Sequence, residues 1–219
     1  MGQGDDRADR PGPRAAPPAG PDGGRVTGEP KGSHRGTEPR RALVRLSKWM
    51  SLVLRHEPAK FGVELDSAGW ARVDGLLAAA ARAGVPLDDA ALRRVVEEND
   101  KKRFALSEDG SRIRASQGHS VEVDLGLEPV APPAVLFHGT ATRFLDSIRR
   151  QGLVPGTRQH VHLSAEEATA TTVGARHGRA AVLRVDAARM HADGHRFFLS
   201  ANGVWLTDAV PAEYLAFPA

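Results

Sequence analysis

The sequence predicts an α+β protein of two lobes: a helical first lobe closed by a hairpin, and a second lobe of short strands with helices between them. Three observations carry this. Apolar residues recur at helical spacing in the first half, whereas the second half shows strand-length apolar runs broken by glycine. A stretch containing Pro129, Pro132 and Pro133 separates the halves. The first half also ends in a hairpin signal after its helices, in the order of a winged-helix module.

Residues 1–40 are rich in Gly and Pro and nearly free of large apolar side chains, so they read as a disordered tail. Order begins near Arg41. Leu46, Trp49, Met50, Val53 and Leu54 share one face of a helix that Pro58 stops. Arg55 and His56 then sit on its last turn, where the helix dipole favours cations by about 0.3–1 kcal/mol. Phe61, Val63 and Leu65 alternate as a short strand, residues 66–69 form a turn, and Trp70 to Val73 resume extended structure. Asp74 is placed to cap a helix over Gly75–Arg82, ended by Gly84, and Asp88 opens another with Leu92, Val95 and Val96 inward. Lys101–Ser107 and Arg112–Ala115 flank the hairpin signal Glu108–Ser111. Residues 41–125 thus make the first lobe, with 117–123 leading out of it, and 126–134 a linker.

The second lobe, 135–219, opens on the buried-strand pattern Ala134–Phe137, followed by His138-Gly139-Thr140. A helix around Phe144, Leu145 and Ile148 ends at Gly152. Ala165–Ala175 reads as a helix with Glu166 and Glu167 at its start, Ala180–Val185 as a strand, and Phe197–Leu199 and Val204–Thr207 as two more.

Composition narrows the classes. The 219 residues carry 41% hydrophobic and 26% charged side chains and a net charge of +3, which fits a globular chain that tolerates a polyanionic partner. There is no cysteine, so disulfides and thiol catalysis are excluded. No apolar run approaches the roughly 18 residues of a membrane span, and the N-terminus lacks the apolar segment of a signal peptide. A cytoplasmic protein is expected. In Gly156–Ser164, strand alternation puts His160 and His162 on one face and Val161 and Leu163 on the other, with Arg158 two residues before. Cation-capable side chains on one ribbon suit a bound anion such as a phosphate, or an exposed polar edge.

Several stretches now stand together: SLVLRHEPAKFGVELDSAGW, NDKKRFALSEDGSRIRASQGHS, LFHGT, RQHVHLS and SANGVWLTD. From about Leu46 to Phe217 the chain resembles the RNA 2′-phosphotransferase (KptA) family. The resemblance implies a winged-helix RNA lobe followed by an ADP-ribosyltransferase-like lobe with a split, mixed β-sheet. It implies NAD as co-substrate, no metal, and an RNA with an internal 2′-phosphate, tRNA-like, as partner. In the implied reaction the RNA phosphate attacks the anomeric carbon of the nicotinamide ribose and expels nicotinamide. The ribose 2″-hydroxyl then attacks phosphorus and releases 2′-OH RNA and ADP-ribose 1″,2″-cyclic phosphate. The catalytic set it implies falls on Arg55, His56, Arg103 and Arg158. NAD contacts fall on His138, Gly139 and Thr140, on His162, Leu163 and Ser164, and on Asn202, Gly203 and Val204. Val204 stands near where many protein-modifying transferases carry glutamate.

The residues support that set on their own chemistry. A phosphate monoester carries close to two charges at neutral pH, and bidentate arginines both hold it and stabilise charge redistributing on phosphorus. His56 donates to a phosphate oxygen once protonated. Lys101, Lys102, Arg112 and Arg114 make the hairpin basic, as contacts to an RNA backbone require. His160 and His162 lack a third ligand and no H-E-x-x-H pattern is present, so no metal site is expected. A monomer is expected. Two other readings stay open: an ADP-ribosyltransferase acting on nucleic-acid ends, and a catalytically inactive winged-helix nucleic-acid binder.

Overall fold

A computed structural model describes residues 37–99 and 101–218. The tail expected over residues 1–40 lies outside the described residues up to residue 36, and helix α1 spans Thr37–Arg55. Its apolar stripe, Leu46, Met50, Val53 and Leu54, is buried. Trp49 is half-buried and meets the Phe61 ring edge-on at 5.6 Å.

The strand expected over Phe61–Leu65 is absent. Pro58 and a short 3-10 turn over Ala59–Phe61 continue the α1 corner instead, and Gly62 ends that turn at φ 64°, a left-handed conformation no extended strand holds. Strand β1 (Trp70–Arg72) runs directly into α2 (Val73–Arg82). Asp74 is therefore not the cap; it lies in the first turn, bonded to the Arg72 guanidinium and accepting from Gly75 N at 2.7 Å. Asp88 does cap α3 (Asp89–Glu97), accepting from Ala91 N at 2.7 Å. Strands β2 (Phe104–Leu106) and β3 (Arg112–Ala115) follow, and the three strands form one antiparallel sheet in the order β1-β3-β2. Leu76, Leu92, Val95, Phe104 and Ile113 join the α1 stripe in a single apolar cluster.

A second cluster is built around Leu136, Leu183, Val185, Met190, Phe197 and Leu206. It is covered by β4 (Val135–Ala141), α4 (Leu145–Gln151), β5 (Val161–Leu163), α5 (Glu167–Gly174), β6 (Ala180–Asp186), α6 (Ala187–Ala192), β7 (Phe198–Leu199), β8 (Trp205–Thr207) and β9 (Leu215–Ala216). The Pro-rich stretch before it is anchored along this core: Val130 N donates to Phe197 O at 2.8 Å and Ala134 O accepts from Ala188 N at 3.1 Å. Two short elements, α6 and β9, were not foreseen. Six residues are too few to display a helical period, and α6 owes its start to the Asp186 carboxylate accepting from Arg189 N at 3.2 Å.

The strands divide into two three-stranded sheets, β4-β6-β9 and β5-β8-β7. Where a mixed sheet was expected, every ladder among the described residues is antiparallel. The sheets touch at one bridge, where Phe137 and Ser164 exchange both backbone bonds at 2.8 Å. Beyond it, the antiparallel register that would pair 138 with 163 and 139 with 162 is not continued, so β4 and β5 diverge. Taken together, the described residues form an α+β fold, and none of its helices is long and apolar enough to cross a membrane.

Candidate active site

Arg55 is half-buried at the end of α1, where its carbonyl would be one of the unsatisfied groups of a helix terminus. That carbonyl accepts from Ser120 N at 2.9 Å, and the Arg55 Nη2 donates to the Arg103 carbonyl at 3.5 Å. The segment 117–120, read from sequence as a mere exit from the first lobe, therefore runs through the site. Gly118 sits there at φ 86°; a Cβ on it would lie 3.6 Å from Arg55 Nη1 and 3.7 Å from His162 Nε2. On one side of it Gln117 Oε1 meets His162 Nε2 at 2.7 Å, and on the other Ser120 Oγ meets His56 Nδ1 at 3.0 Å. Ser120 Oγ also lies 3.3 Å from the Arg55 carbonyl. A hydroxyl has one proton; donated to that carbonyl, it leaves Ser120 Oγ to accept from His56 Nδ1 and His56 Nε2 unprotonated.

The loop bearing Arg158 is fastened to the same segment. Gln159 N donates to the His119 carbonyl at 3.2 Å and Gln159 Nε2 to the Val123 carbonyl at 3.0 Å. The four cationic candidates are thereby brought together, and the electrostatics register it. Burial, then Arg103 and Arg158, push the Arg55 guanidinium down to about 10. Burial, then Arg55 and Arg158, lower His56. Arg103 is lowered by burial and by Arg176, and its Nη1 donates to Asn99 Oδ1 at 3.1 Å. Among the described residues none of Arg55, Arg103 and Arg158 makes an ion pair with a carboxylate. Such a cluster of cations is short of an anion.

His162 is part of this group, but His160 is not a third cation on the same anion. It lies 3.8 Å from the Asp208 carboxylate and stacks edge-on against Phe198. Burial, then Arg158 and Arg55, push His162 down to about 3. His119 lies beneath, 1% exposed, pushed down to about 4 by burial and then by Arg55 and His56, and neither ring nitrogen has a protein partner.

The second set of candidates flanks the divergence of β4 and β5. His138 Nδ1 donates to the His162 carbonyl at 3.1 Å, spanning with a side chain the gap that the ladder leaves. Burial lowers the His138 ring. Gly139 has a packing reason of its own: a Cβ there would stand 1.8 Å from the Ala170 carbonyl oxygen of α5. Thr140 and Leu163 are buried and stand in the ladders opposite Ala181 and Trp205, so neither offers a side chain to a ligand. Ser164 holds the inter-sheet bridge, and its Oγ accepts from Glu166 N at 3.1 Å. Asn202 Nδ2 donates to the Lys101 carbonyl at 3.0 Å, so the turn of Asn202, Gly203 and Val204 is tied to the hairpin that carries Arg103. The remaining basic candidates divide. Lys101 and Lys102 are exposed. Arg112 pairs with Asp66 at 3.5 Å, and Arg114 lies over the Trp70 ring at 4.6 Å. Among the described residues no group of His, Asp and Glu is placed to hold a metal ion.

Residues 41–209 match the family model described as RNA 2′-phosphotransferase, Tpt1 / KptA family. The chain belongs to that family. A relative from Agrobacterium fabrum named "Probable RNA 2′-phosphotransferase" is 65% identical over 173 residues, covering 79% of this chain and 93% of its own. Relatives of the same name from Pseudomonas aeruginosa (strain UCBPP-PA14) and Rhodopirellula baltica are 58% and 57% identical over 177 residues, 80% of this chain and 97% and 96% of theirs. The RNA 2′-phosphotransferase match takes in β4 to β8 of the second core and the whole 117–120 segment, and stops short of β9. Gln117, His119, Ser120 and Asn99 are the site residues that sequence reasoning missed. The signal present was a glycine between two polar side chains, Gln117-Gly118-His119, inside one of the family stretches.

Proposed function

We propose that this chain is an NAD-dependent RNA 2′-phosphotransferase, removing an internal 2′-phosphate from a tRNA-like RNA. Family membership supports the RNA 2′-phosphate as substrate. The observation that carries the chemistry is the cluster of Arg55, His56, Arg103 and Arg158, whose arginines make no ion pair among the described residues and in which burial and mutual repulsion depress Arg55 and His56, the latter against a smaller opposing effect of Glu57. A phosphate dianion offsets that repulsion and accepts bidentate bonds from the guanidinium groups. In this reading Arg55 and Arg158 hold the phosphate in line, and His56 and Arg103 stabilise the charge that redistributes over its oxygens. His56 takes up a proton as the anion binds, because a neighbouring dianion favours the imidazolium.

NAD supplies the ribose carbon that accepts the phosphate and nicotinamide as the group that leaves. The divergence of β4 and β5 fits it: beyond the Phe137–Ser164 bridge the edges that the two strands turn toward each other carry no ladder, although 138–140 stay paired with β6 and 162–163 with β8, and His138 is held in one orientation by the His162 carbonyl. On the same reading residues 41–125 are a winged-helix lobe and 135–219 an ADP-ribosyltransferase-like lobe joined through 126–134. Since Thr37–Arg40 belong to α1, the dispensable part of the expected 1–40 segment is residues 1–36, and the protein is a cytoplasmic monomer. The decisive experiment is mass spectrometry of products from NAD and a 2′-phosphorylated RNA. Nicotinamide, 2′-OH RNA and ADP-ribose 1″,2″-cyclic phosphate are expected. ADP-ribose left on RNA ends would replace the proposal with end modification, and no RNA-dependent nicotinamide release would reduce it to a binder.

A further inference from the structure

A groove of about 830 Å³ lies between α1 and α3 and ends at the candidate active site. On α1 its wall is formed in part by Arg40, Val44, Lys48 and Leu52, spaced four residues apart and leading to His56. Consecutive members of that row are neighbours on the helix surface, and because each four-residue step turns about 40° the row winds around α1 as it runs about 24 Å along the axis from Arg40 to His56. The opposite wall carries Arg94, Glu98 and Asn99, and the closed end carries Lys101 and Arg103.

The character of the walls is unlike a protein-docking groove. Val44 is 49% exposed, while Arg40, Lys48 and Lys101 are exposed cations. The acid in the groove, Glu98, is already paired with Arg94 at 3.1 Å. Lys48 and Lys101 make no ion pair among the described residues. Asn99 adds a fixed donor. Its Oδ1 accepts from Lys101 N and from Arg103 Nη1, both at 3.1 Å, which orients the amide and leaves the buried Nδ2 without a partner. Apolar surface for bases, spaced cations for phosphates and an amide donor on the opposite wall are the requirements of a single strand.

We propose that this groove is the binding site for the single-stranded RNA flanking the 2′-phosphate, with the backbone following Lys101, Lys48 and Arg40 away from His56. The inference rests on the proposed function and gives the first lobe its RNA contact on the α1–α3 face, not on Arg112 and Arg114, which Asp66 and Trp70 hold. A strand in the groove leaves a salt signature: each phosphate neutralised contributes about −0.7 to the slope of log affinity against log salt for a single strand.

The test uses the full chain, a 2′-phosphorylated dinucleotide, and the same dinucleotide extended by six nucleotides on the 5′ side or on the 3′ side. One of the two extensions is expected to tighten binding at least tenfold at low salt. Lys48→Glu and Arg40→Glu each remove most of that gain and flatten its salt slope, while dinucleotide turnover stays at the wild-type rate and reports an intact fold. A gain retained in full by both variants, or no gain from either extension in the wild-type protein, overturns the groove as an RNA site. Failure of the wild-type protein to turn over any of these RNAs overturns the functional reading itself, so the two failures are distinct.

Discussion

Arg158 fixes the protonation of His162. Its Nη1 lies 3.4 Å from His162 Nδ1, and a guanidinium has only donors, so Nδ1 accepts and the ring proton sits on Nε2. Nε2 then donates to Gln117 Oε1 at 2.7 Å. Burial and the surrounding cations keep the ring neutral, since they push its pKa down to about 3. A side chain that sequence patterning offered as one more cation is instead a neutral strut between Arg158 and Gln117.

Removing the far end of that strut is expected to weaken the near end. Gln117→Ala leaves the buried Nε2–H without its acceptor, at a cost of about 1–3 kcal/mol, and frees the ring to turn away from Arg158. Turnover is expected to fall about tenfold or more. Nitrogen-15 NMR of the histidine ring should show the Nε2–H tautomer in the wild-type protein at neutral pH and a mixture in the variant. A pure Nδ1–H tautomer in the wild-type protein would overturn the assignment.

The buried rings also set the acid stability. His119 titrates at about 4 and His162 at about 3 in the folded protein, against 6.5 for an unhindered ring. Below pH 6.5 the unfolded chain therefore binds more protons than the folded one, and stability falls with falling pH until each folded pKa is reached. Each ring contributes on the order of 3 kcal/mol to that loss. Urea unfolding at pH 7 and at pH 4.5 should differ by a few kcal/mol. His119→Gln, which cannot titrate, is expected to lose distinctly less over the same interval.

The cores and most elements were legible because their period is local: the α1 stripe, the Asp88 cap and the strand of Val135–Phe137 each announce themselves within a few residues. What was not legible is contact at long range. Nothing near Gln117 or Ser120 shows that they meet His162 and His56, 45 and 64 residues away. The Phe61–Leu65 strand failed for a related reason: alternation fits an extended chain, but Gly62 and the Trp49 contact turn it into a corner. Gly139 was legible as a special position, though its packing against α5 depends on where α5 lies.

That packing gives a clean stability prediction. Gly139→Ala sets a methyl 1.8 Å from the Ala170 carbonyl oxygen, a backbone atom with no rotamer to yield. Overpacking of this kind is expected to cost about 3 kcal/mol or more. Gly203→Ala meets nothing within 4 Å and bears only the strain of φ 77°, about 1 kcal/mol. Thermal unfolding of the two variants should separate them clearly. Equal losses would show that β4 and α5 can part more easily than their contact suggests.

The order of chemistry follows from which cations carry structure and which do not. In the proposed reaction the leaving nicotinamide starts out cationic, so the first transfer would need a positioned phosphate more than added positive charge. The second transfer spreads charge over the phosphorus oxygens as the RNA 2′-oxygen leaves, and one preorganised donor there is worth about 3–4 kcal/mol. His56 is oriented through Ser120, which Arg55 holds only by its backbone carbonyl, and Arg103 through Asn99, so neither orientation needs the side chains proposed to hold the phosphate. His56→Ala and Arg103→Ala are therefore expected to slow the second transfer by about 10²–10³ and the first by much less. RNA bearing a 2′-phospho-ADP-ribosyl group should accumulate. Arg55 also bonds the Arg103 carbonyl, and Arg158 also holds His162, so alanine at either position is expected to impair both transfers. A single-turnover time course with each variant decides the matter. If the His56 and Arg103 variants lose activity without building up that adduct, the two transfers share their cations and this division of labour is wrong.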